Sequence, residues 1–193
     1  MSISQELLRH FRKYTDIPED DLESLQKYFQ KFSVNKKKII QEAGQLCRYQ
    51  YFVVTGCLRM FSINSKGQEQ TLQFAIENWW ITDHLSFLNQ RETEFFIQAI
   101  EPSELIRIEF HAMEELFKIC PYMERYFRKM YQIAYGAAQQ GMKFRSDFSS
   151  EELYLHFTRG YPGFVNRVPQ YLLASFLGIT PEYLSEIKKK NGQ

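Results

Sequence analysis

The hydrophobic positions change their period three times along the chain. In "SQELLRHFRKY" the residues Leu7, Leu8, Phe11 and Tyr14 recur at helical spacing. In "IPEDDLESLQKYFQKF" a Pro and a run of acids, which helix N-termini favour, precede Leu22, Leu25, Tyr28, Phe29 and Phe32. Helices are therefore predicted over most of the first thirty residues. From about Lys37 the pattern turns into short apolar or alternating runs, broken at Gly44, Gly56 and Gly67. "CLRMFSI" places Leu58 and Met60 on one face, and Asn64–Gln68 ("NSKGQ") has the composition of a tight turn. "EFFIQAI" and "ELIRIEF" continue the strand pattern to Phe110, with Pro102 and Ser103 between them as turn residues. Short strands so regularly spaced predict an antiparallel roll or barrel.

After Phe110 the helical period returns. "HAMEELFKI" is followed from Pro121 by a long amphipathic stretch in which Met123, Phe127, Met130, Ala134, Ala137, Gly141 and Phe144 alternate by four and three. That is a heptad seam, and Gly136, Ala137, Ala138 and Gly141 permit close approach of another surface. The spacing fits a second copy of the helix and fits packing against the roll of the same chain equally well. "SSEELYLHF" offers a capping box from Ser149 to Glu152, and "RGYPGFVNRVP" reads as a connector rich in Gly and Pro.

The connector leads into "QYLLASFLGITPEYLSEI". Pro169 suits the start of a helix carrying Leu172, Leu173, Phe176 and Leu177. Ala174 sits where a second helix would cross, and Gly178 falls where the turn needs a positive φ. Thr180 is placed to cap the second helix, with Pro181 first and Glu182 in the first turn, while Leu184 and Ile187 point back at the first helix. This is the steric frame of a helix–turn–helix whose second helix can enter a major groove. The same frame also occurs in ordinary helical hairpins.

Composition narrows the classes. The chain has 193 residues, enough for one large or two modest domains. No apolar run is long enough to span a bilayer, and the polar N-terminal stretch is unlike a signal peptide, so a soluble cytoplasmic protein is expected. Cys47, Cys57 and Cys120 are far apart and form no C-x-x-C pair, as expected of reduced structural thiols. His10, His84, His111 and His156 are scattered; no metal set, cofactor or catalytic constellation is expected. The net charge of +1 does not advertise a nucleic-acid binder. Its distribution is permissive, however: residues 41–140 hold 9 Lys/Arg against 12 Asp/Glu, and residues 141–193 hold 7 against 5.

Taken together, the N-terminal helix, the Gly-punctuated roll from "AGQLCRYQYFVVTGCLRMFSINSKGQEQTLQF", the long seam helix and "RVPQYLLASFLGITPEYLSEI" resemble the Crp/Fnr family of bacterial transcription regulators. The resemblance covers nearly the whole chain. It implies an α+β protein with a double-stranded β-helix (jelly-roll) sensor resembling cyclic-nucleotide-binding domains over residues 1–120. A dimerisation helix over 121–147 and a winged-helix-type helix–turn–helix domain over 148–193 would follow. It also implies a homodimer on a pseudo-palindromic double-stranded DNA operator, with RNA polymerase and an unidentified small-molecule effector as candidate partners, and no enzyme activity.

The chain departs from that family in two places. The phosphate cassette of the nucleotide-binding members has a Gly-Glu pair and, some ten residues later, an Arg followed by Ser or Thr. Here Thr82-Asp83 and Thr93-Glu94 occupy those positions, and Arg91 is two residues out of register. Glu94 would repel a phosphate, so a response to cyclic AMP is not expected. The candidate pocket residues are Trp80, Thr82, Asp83, Arg91, Thr93 and Glu94, with Trp79 beside them. The Fnr-type cysteine cluster is also missing.

In the reading helix, the family's Arg–Glu–Arg series becomes Pro181, Glu182 and Glu186. Candidate base or phosphate contacts are then Thr180, Glu182, Tyr183, Ser185, Lys188 and Lys189, with Arg167 at the approach. Lys188–Lys190 fits a basic tail complementing the helix C-terminus as well as it fits phosphate contact, and Glu186 is spaced to pair with Lys190. A wing would have to precede this helix or be absent. The competing reading is a dimeric small-ligand-binding module whose helix–turn–helix has degenerated and no longer binds DNA.

Overall fold

The structure, a computed structural model, describes residues 4–191. It begins with α1 (Gln5–Arg12), capped by Ser4, whose Oγ accepts from the Leu7 N–H at 3.1 Å. A 3₁₀ turn at Glu19–Asp21 leads to a short α2 (Leu22–Gln26). Eight strands follow: β1 (Gln30–Val34), β2 (Ile39–Gln41), β3 (Tyr49–Thr55), β4 (Leu58–Ile63), β5 (Glu69–Ala75), β6 (Trp80–Ile81), β7 (Phe96–Ala99) and β8 (Ser103–Glu109). A five-residue helix, α3 (His84–Leu88), lies between β6 and β7. The remainder is helical: α4 (Phe110–Ile119), α5 (Tyr122–Asp147), α6 (Ser150–Gly160), α7 (Pro162–Arg167), α8 (Gln170–Leu177) and α9 (Pro181–Lys190).

The strands form two four-stranded sheets, ordered β1-β8-β3-β6 and β2-β7-β4-β5. Tyr51, Val53, Leu58, Met60, Ala75, Ile81, Ile97, Ala99 and Leu105 form one buried cluster. The alternate residues Phe52, Val54, Trp80, Ile106 and Ile108 join a second cluster with Leu7, Phe11, Leu25, Met113, Leu116, Met123, Tyr126 and Phe127 from the helices. β3 and β8 are therefore buried on both faces, which is why "YFVV" reads as a continuous apolar run without alternation. The expected roll is present. At the tight β3–β4 turn Gly56 has φ +102°, and a Cβ there would come within 2.2 Å of Ser103 Oγ and 2.8 Å of its Cα. Only glycine fits.

Two expected elements differ. The apolar spacing ending at Phe32 predicts helix, yet helix stops at Gln26 and Gln30–Val34 is a strand paired with β8, with Phe32 opposite Leu105. Phe32 and Val34, two apart, both pack against the cluster that holds Leu105, and edge pairing to β8 overrides the three-residue spacing of Phe29 and Phe32. The connector read at "RGYPGFVNRVP" contains α7, because Pro162 at a first helical position removes only an N–H that has no helical partner. Among the described residues after α5 every element is a helix, so no wing occurs there.

By internal contacts the chain forms two compact units. One comprises the residues up to Met60 with Phe74–Ile133; the other comprises Phe61–Gln73 with the residues from Ala134 onward. The tip of the β4–β5 hairpin thus groups with the C-terminal helices. No helix among the described residues is long and apolar enough to cross a membrane.

Candidate functional site

The helix–turn–helix is built from α8 and α9. Gly178 ends α8 at φ +72°, ψ 28°, where the Ile179 N–H donates back to the Ala174 carbonyl at 3.0 Å. Thr180 caps α9: its Oγ1 accepts from the Tyr183 N–H at 3.2 Å, and Pro181 follows as the first helical residue. Ala174 is wholly buried, with Leu172, Leu173, Leu177, Leu184 and Ile187 around the same crossing. The small side chain at 174 is what allows the two helices to approach closely. α6 supports this pair. Its capping box is complete, with Glu152 N–H donating to Ser149 Oγ and Ser149 N–H donating to Glu152 Oε2 at 2.8 Å. Leu153 and Tyr154 of α6 are buried, and Phe157 meets the Phe176 ring edge-on at 5.4 Å.

The candidate contact residues are not equivalent in the structure. Glu182, Tyr183 and Lys189 are exposed on α9, as are Glu186 and the capping Thr180. Ser185 is committed on both sides: it accepts from Gln170 Nε2 at 2.7 Å and donates to the Pro181 carbonyl at 2.9 Å. Lys188 and Arg167 are half-buried. The basic C-terminus is anchored, since Lys190 Nζ lies 2.9 Å from Glu151 Oε2 and Asn191 Nδ2 donates to the other oxygen of that carboxylate at 3.2 Å. Hydrogen bonding to Lys190 holds Glu151 below the usual carboxylate range. Lys190 therefore pairs with α6, where the sequence spacing had offered Glu186.

In α5 the heptad seam divides. Met123, Phe127 and Met130 are buried in the core of their own unit. Beyond them Ile133, Tyr135 and Met142 are 40%, 65% and 60% exposed, Ala137 is exposed, and a Cβ at Gly136 or Gly141 would meet nothing within 4 Å. Phe144 stacks on Phe148 and against His156 of α6. One helix thus spends its first half on its own core, while much of its second half up to Phe144 is exposed.

At the cassette position the polar groups satisfy one another. Asp83 caps α3: its Oδ1 accepts from the Ser86 N–H at 3.1 Å and its Oδ2 from Thr93 Oγ1 at 2.8 Å. Burial raises the Asp83 pKa, but the hydrogen bonds from Ser86, Thr93 and Leu85 outweigh it and hold the carboxyl below its ordinary value. Thr82 is buried, donates to the Tyr49 carbonyl at 2.9 Å and lies 3.3 Å from Cys47 Sγ. Burial pushes the Cys47 thiol up, which disfavours its thiolate. Arg91 and Glu94 are exposed, and the Arg91 N–H donates to the Ser86 carbonyl.

Trp80 lies in the helix-side cluster, away from Thr82 and Asp83 in its bonding. Its Nε1–H donates to the Tyr126 hydroxyl at 2.7 Å, and that hydroxyl lies 2.7 Å from His10 Nδ1. Trp79, its neighbour, packs on the other cluster.

Two features had no sequence signal. Arg107 of β8 stacks on Tyr49 at 4.3 Å and on Phe32 at 5.3 Å, with its Nε–H donating to Gln30. Ser175 of α8 bonds to three residues of β5, Glu69, Gln70 and Thr71, which are 104–106 positions away. Nothing local marks either, because each depends on strands brought together from distant parts of the chain. Among the described residues no group of His, Cys, Asp and Glu is arranged to hold a metal.

Residues 31–120 match the cyclic nucleotide-binding domain family. No curated protein sequence matched the chain. Among solved structures, the chain is similar to FixK2 from Bradyrhizobium japonicum, at 18% identity over 85% of this chain and 84% of that one, TM-score 0.69. It is also similar to the c-di-GMP-responsive global regulator CLP of Xanthomonas campestris, at 15% identity over 91% and 92%, TM-score 0.71. A Crp/Fnr family protein from Eubacterium rectale aligns at 16% identity over 92% and 84%, TM-score 0.72. Residues 31–120 thus match the cyclic nucleotide-binding domain family, and the chain shares its fold with solved structures of Crp/Fnr-type regulators.

Proposed function

We propose that this chain is a homodimeric, DNA-binding transcription regulator that does not respond to cyclic AMP. The observation that carries this reading is the α8–α9 pair: a wholly buried Ala174 at the crossing, Gly178 in the left-handed turn, and an exposed face on a capped second helix. Such a helix can lie in a major groove, where Glu182 can accept from a cytosine N4 and Tyr183 and Lys189 can reach base edges or phosphates. The exposed stretch of α5 supports a second copy, since two reading helices must reach half-sites one turn apart. In function, residues 1–120 serve as the sensor, 121–147 as the dimerisation helix and 148–193 as the reader.

The cassette supports the lack of a cyclic AMP response. Asp83 is an ionised carboxylate with both oxygens already engaged, Glu94 adds a second negative charge, and Arg91 is exposed. A cyclic phosphate would have to displace the Thr93–Asp83 bond and sit beside two carboxylates. Millimolar cyclic AMP should leave the melting temperature unchanged, whereas a shift with concentration would overturn this part of the reading.

Selection of bound duplexes from a random double-stranded DNA pool tests the main proposal. Enrichment of a pseudo-palindrome is expected. Changing both Lys188 and Lys189 to Ala should weaken binding across sequences and flatten the dependence of affinity on salt by roughly one to two units of slope. If no duplex is retained at low salt, the chain is a dimeric ligand-binding module and the DNA reading fails.

A further inference from the structure

β5 is the edge strand of its sheet, and an edge presents N–H and C=O groups that need cover. Within the second unit the Ser175 side chain covers two of these groups. The Thr71 N–H donates to Ser175 Oγ at 2.9 Å, and the Ser175 hydroxyl donates to the Glu69 carbonyl at 2.9 Å. Glu69 and Thr71 are two residues apart, so these two groups point to the same side of the strand. One hydroxyl used as acceptor and donor replaces the paired bonds that a further strand would make. Gln70 adds a third bond, from its Nε2 to the backbone carbonyl of Ser175. That carbonyl also accepts from the Gly178 N–H at 3.3 Å, so it belongs to the turn that sets α8 against α9.

The arrangement is specific in two further respects. It leaves Thr180, Glu182 and Tyr183 exposed, so the reading face is free while the bonds are made. And the two strands that end in this hairpin carry Leu58, Met60 and Ala75, which belong to the buried strand cluster. The hairpin lies within residues 31–120, the stretch that matches the cyclic nucleotide-binding domain family.

We propose that Ser175 is a positioning residue: it clamps the tip of the β4–β5 hairpin to the first helix of the helix–turn–helix, within one unit, and so fixes α8 and the reading helix packed on it. The consequence for DNA binding rests on the function proposed above; the clamp itself does not. Amide hydrogen exchange on the full chain without DNA tests the clamp directly. Ser175→Ala, a substitution that favours helix, should speed exchange of the Thr71 amide by roughly tenfold, the effect of losing one hydrogen bond, and leave Val53 and Leu105 unchanged. Unchanged exchange at Thr71 overturns the clamp.

Binding to the duplex selected by the unmodified chain then tests the positioning role. Ser175→Ala should bind roughly three- to tenfold more weakly with the same salt slope, because orientation is lost and no phosphate contact is. Gln70→Ala should act in the same direction from outside the helix–turn–helix, so that weaker binding cannot come from a damaged reader. Equal or tighter binding by both variants overturns the positioning role. If the unmodified chain retains no duplex, the function fails while the exchange experiment still decides the clamp.

Discussion

The buried chain of hydrogen bonds from Trp80 through Tyr126 to His10 makes stability depend on pH in a direction that can be worked out. The Tyr126 oxygen accepts from the Trp80 N–H, so its own proton is the one directed at His10 Nδ1. That arrangement needs a neutral imidazole. Burial, together with the charge of Lys13, lowers the His10 pKa from 6.5 to about 4. Tyr14 and Phe52 enclose the ring at 5.3 and 5.2 Å and offer no counter-charge. The unfolded chain thus binds a proton near pH 6.5 that the folded chain refuses until about pH 4. The contribution is complete above pH 6.5 and is lost as pH falls from there to about 4.

A difference of this size corresponds to about 3 kcal/mol in full, of which about 2 kcal/mol is gone by about pH 4.5. Urea denaturation at about pH 7.5 and about pH 4.5 measures it, comparing the unmodified chain with His10→Asn, which keeps an acceptor for Tyr126 but does not titrate. Carboxylates such as Asp83, whose pKa is lowered by folding, also weaken the protein in acid, but equally in both chains. The unmodified chain should therefore lose about 2 kcal/mol more than His10→Asn over this interval. Equal losses would refute the reasoning, because His10 would then be protonated at the same pH in the folded and unfolded states.

Other substitutions test the remaining claims. Tyr126→Phe should cost about 2–3 kcal/mol in chemical denaturation, since it leaves the buried Trp80 N–H without an acceptor. Gly56→Ala should fail to give folded protein or lose more than about 3 kcal/mol, whereas Gly178→Ala, at a similar φ but in open space, should lose only about 1 kcal/mol; thermal melts compare the two. Ala137→Arg should convert a dimer to a monomer in light scattering while leaving the circular dichroism unchanged, and a persistent dimer would show that this half of α5 is not the contact.

Much of the α8–α9 pair was legible because its determinants are local. Ala174, Gly178, Thr180 and Pro181 each act within one turn of chain, through a missing Cβ, a hydroxyl cap or a fixed φ, and such effects appear in the residue types themselves. The capping box at Ser149 was visible for the same reason. β1 was misread because Phe29 and Phe32 satisfy a helical spacing, and only the available edge of β8 makes Gln30–Val34 a strand. α7 was missed because Gly and Pro mark turns in most contexts, though Pro is tolerated at a first helical position. The heptad seam told truly that α5 packs along something, but could not say where one surface ends and the next begins.

The site shows the same division. Replacement of the family's cassette residues by Thr82-Asp83 and Thr93-Glu94 could be read directly, and so could the loss of both arginines from the reading helix. What those residues do instead could not, because Asp83 meets Thr93 only where the segment after α3 turns back on that helix, with the Arg91 N–H on the Ser86 carbonyl. Trp79 and Trp80 were indistinguishable as neighbours, yet Trp80 opens β6 and joins one cluster while Trp79, just before the strand, packs on the other. By itself, the sequence determined the succession of helix, roll, long helix and helix–turn–helix, since local propensity and period carry that information. Only the tertiary structure decided that Trp80 binds Tyr126, that Lys190 pairs with Glu151 and that Ser175 closes the edge of β5. Each of those bonds joins residues at least 39 positions apart, and hydrogen bonds at 2.7–2.9 Å depend on a spatial approach that no local spacing encodes.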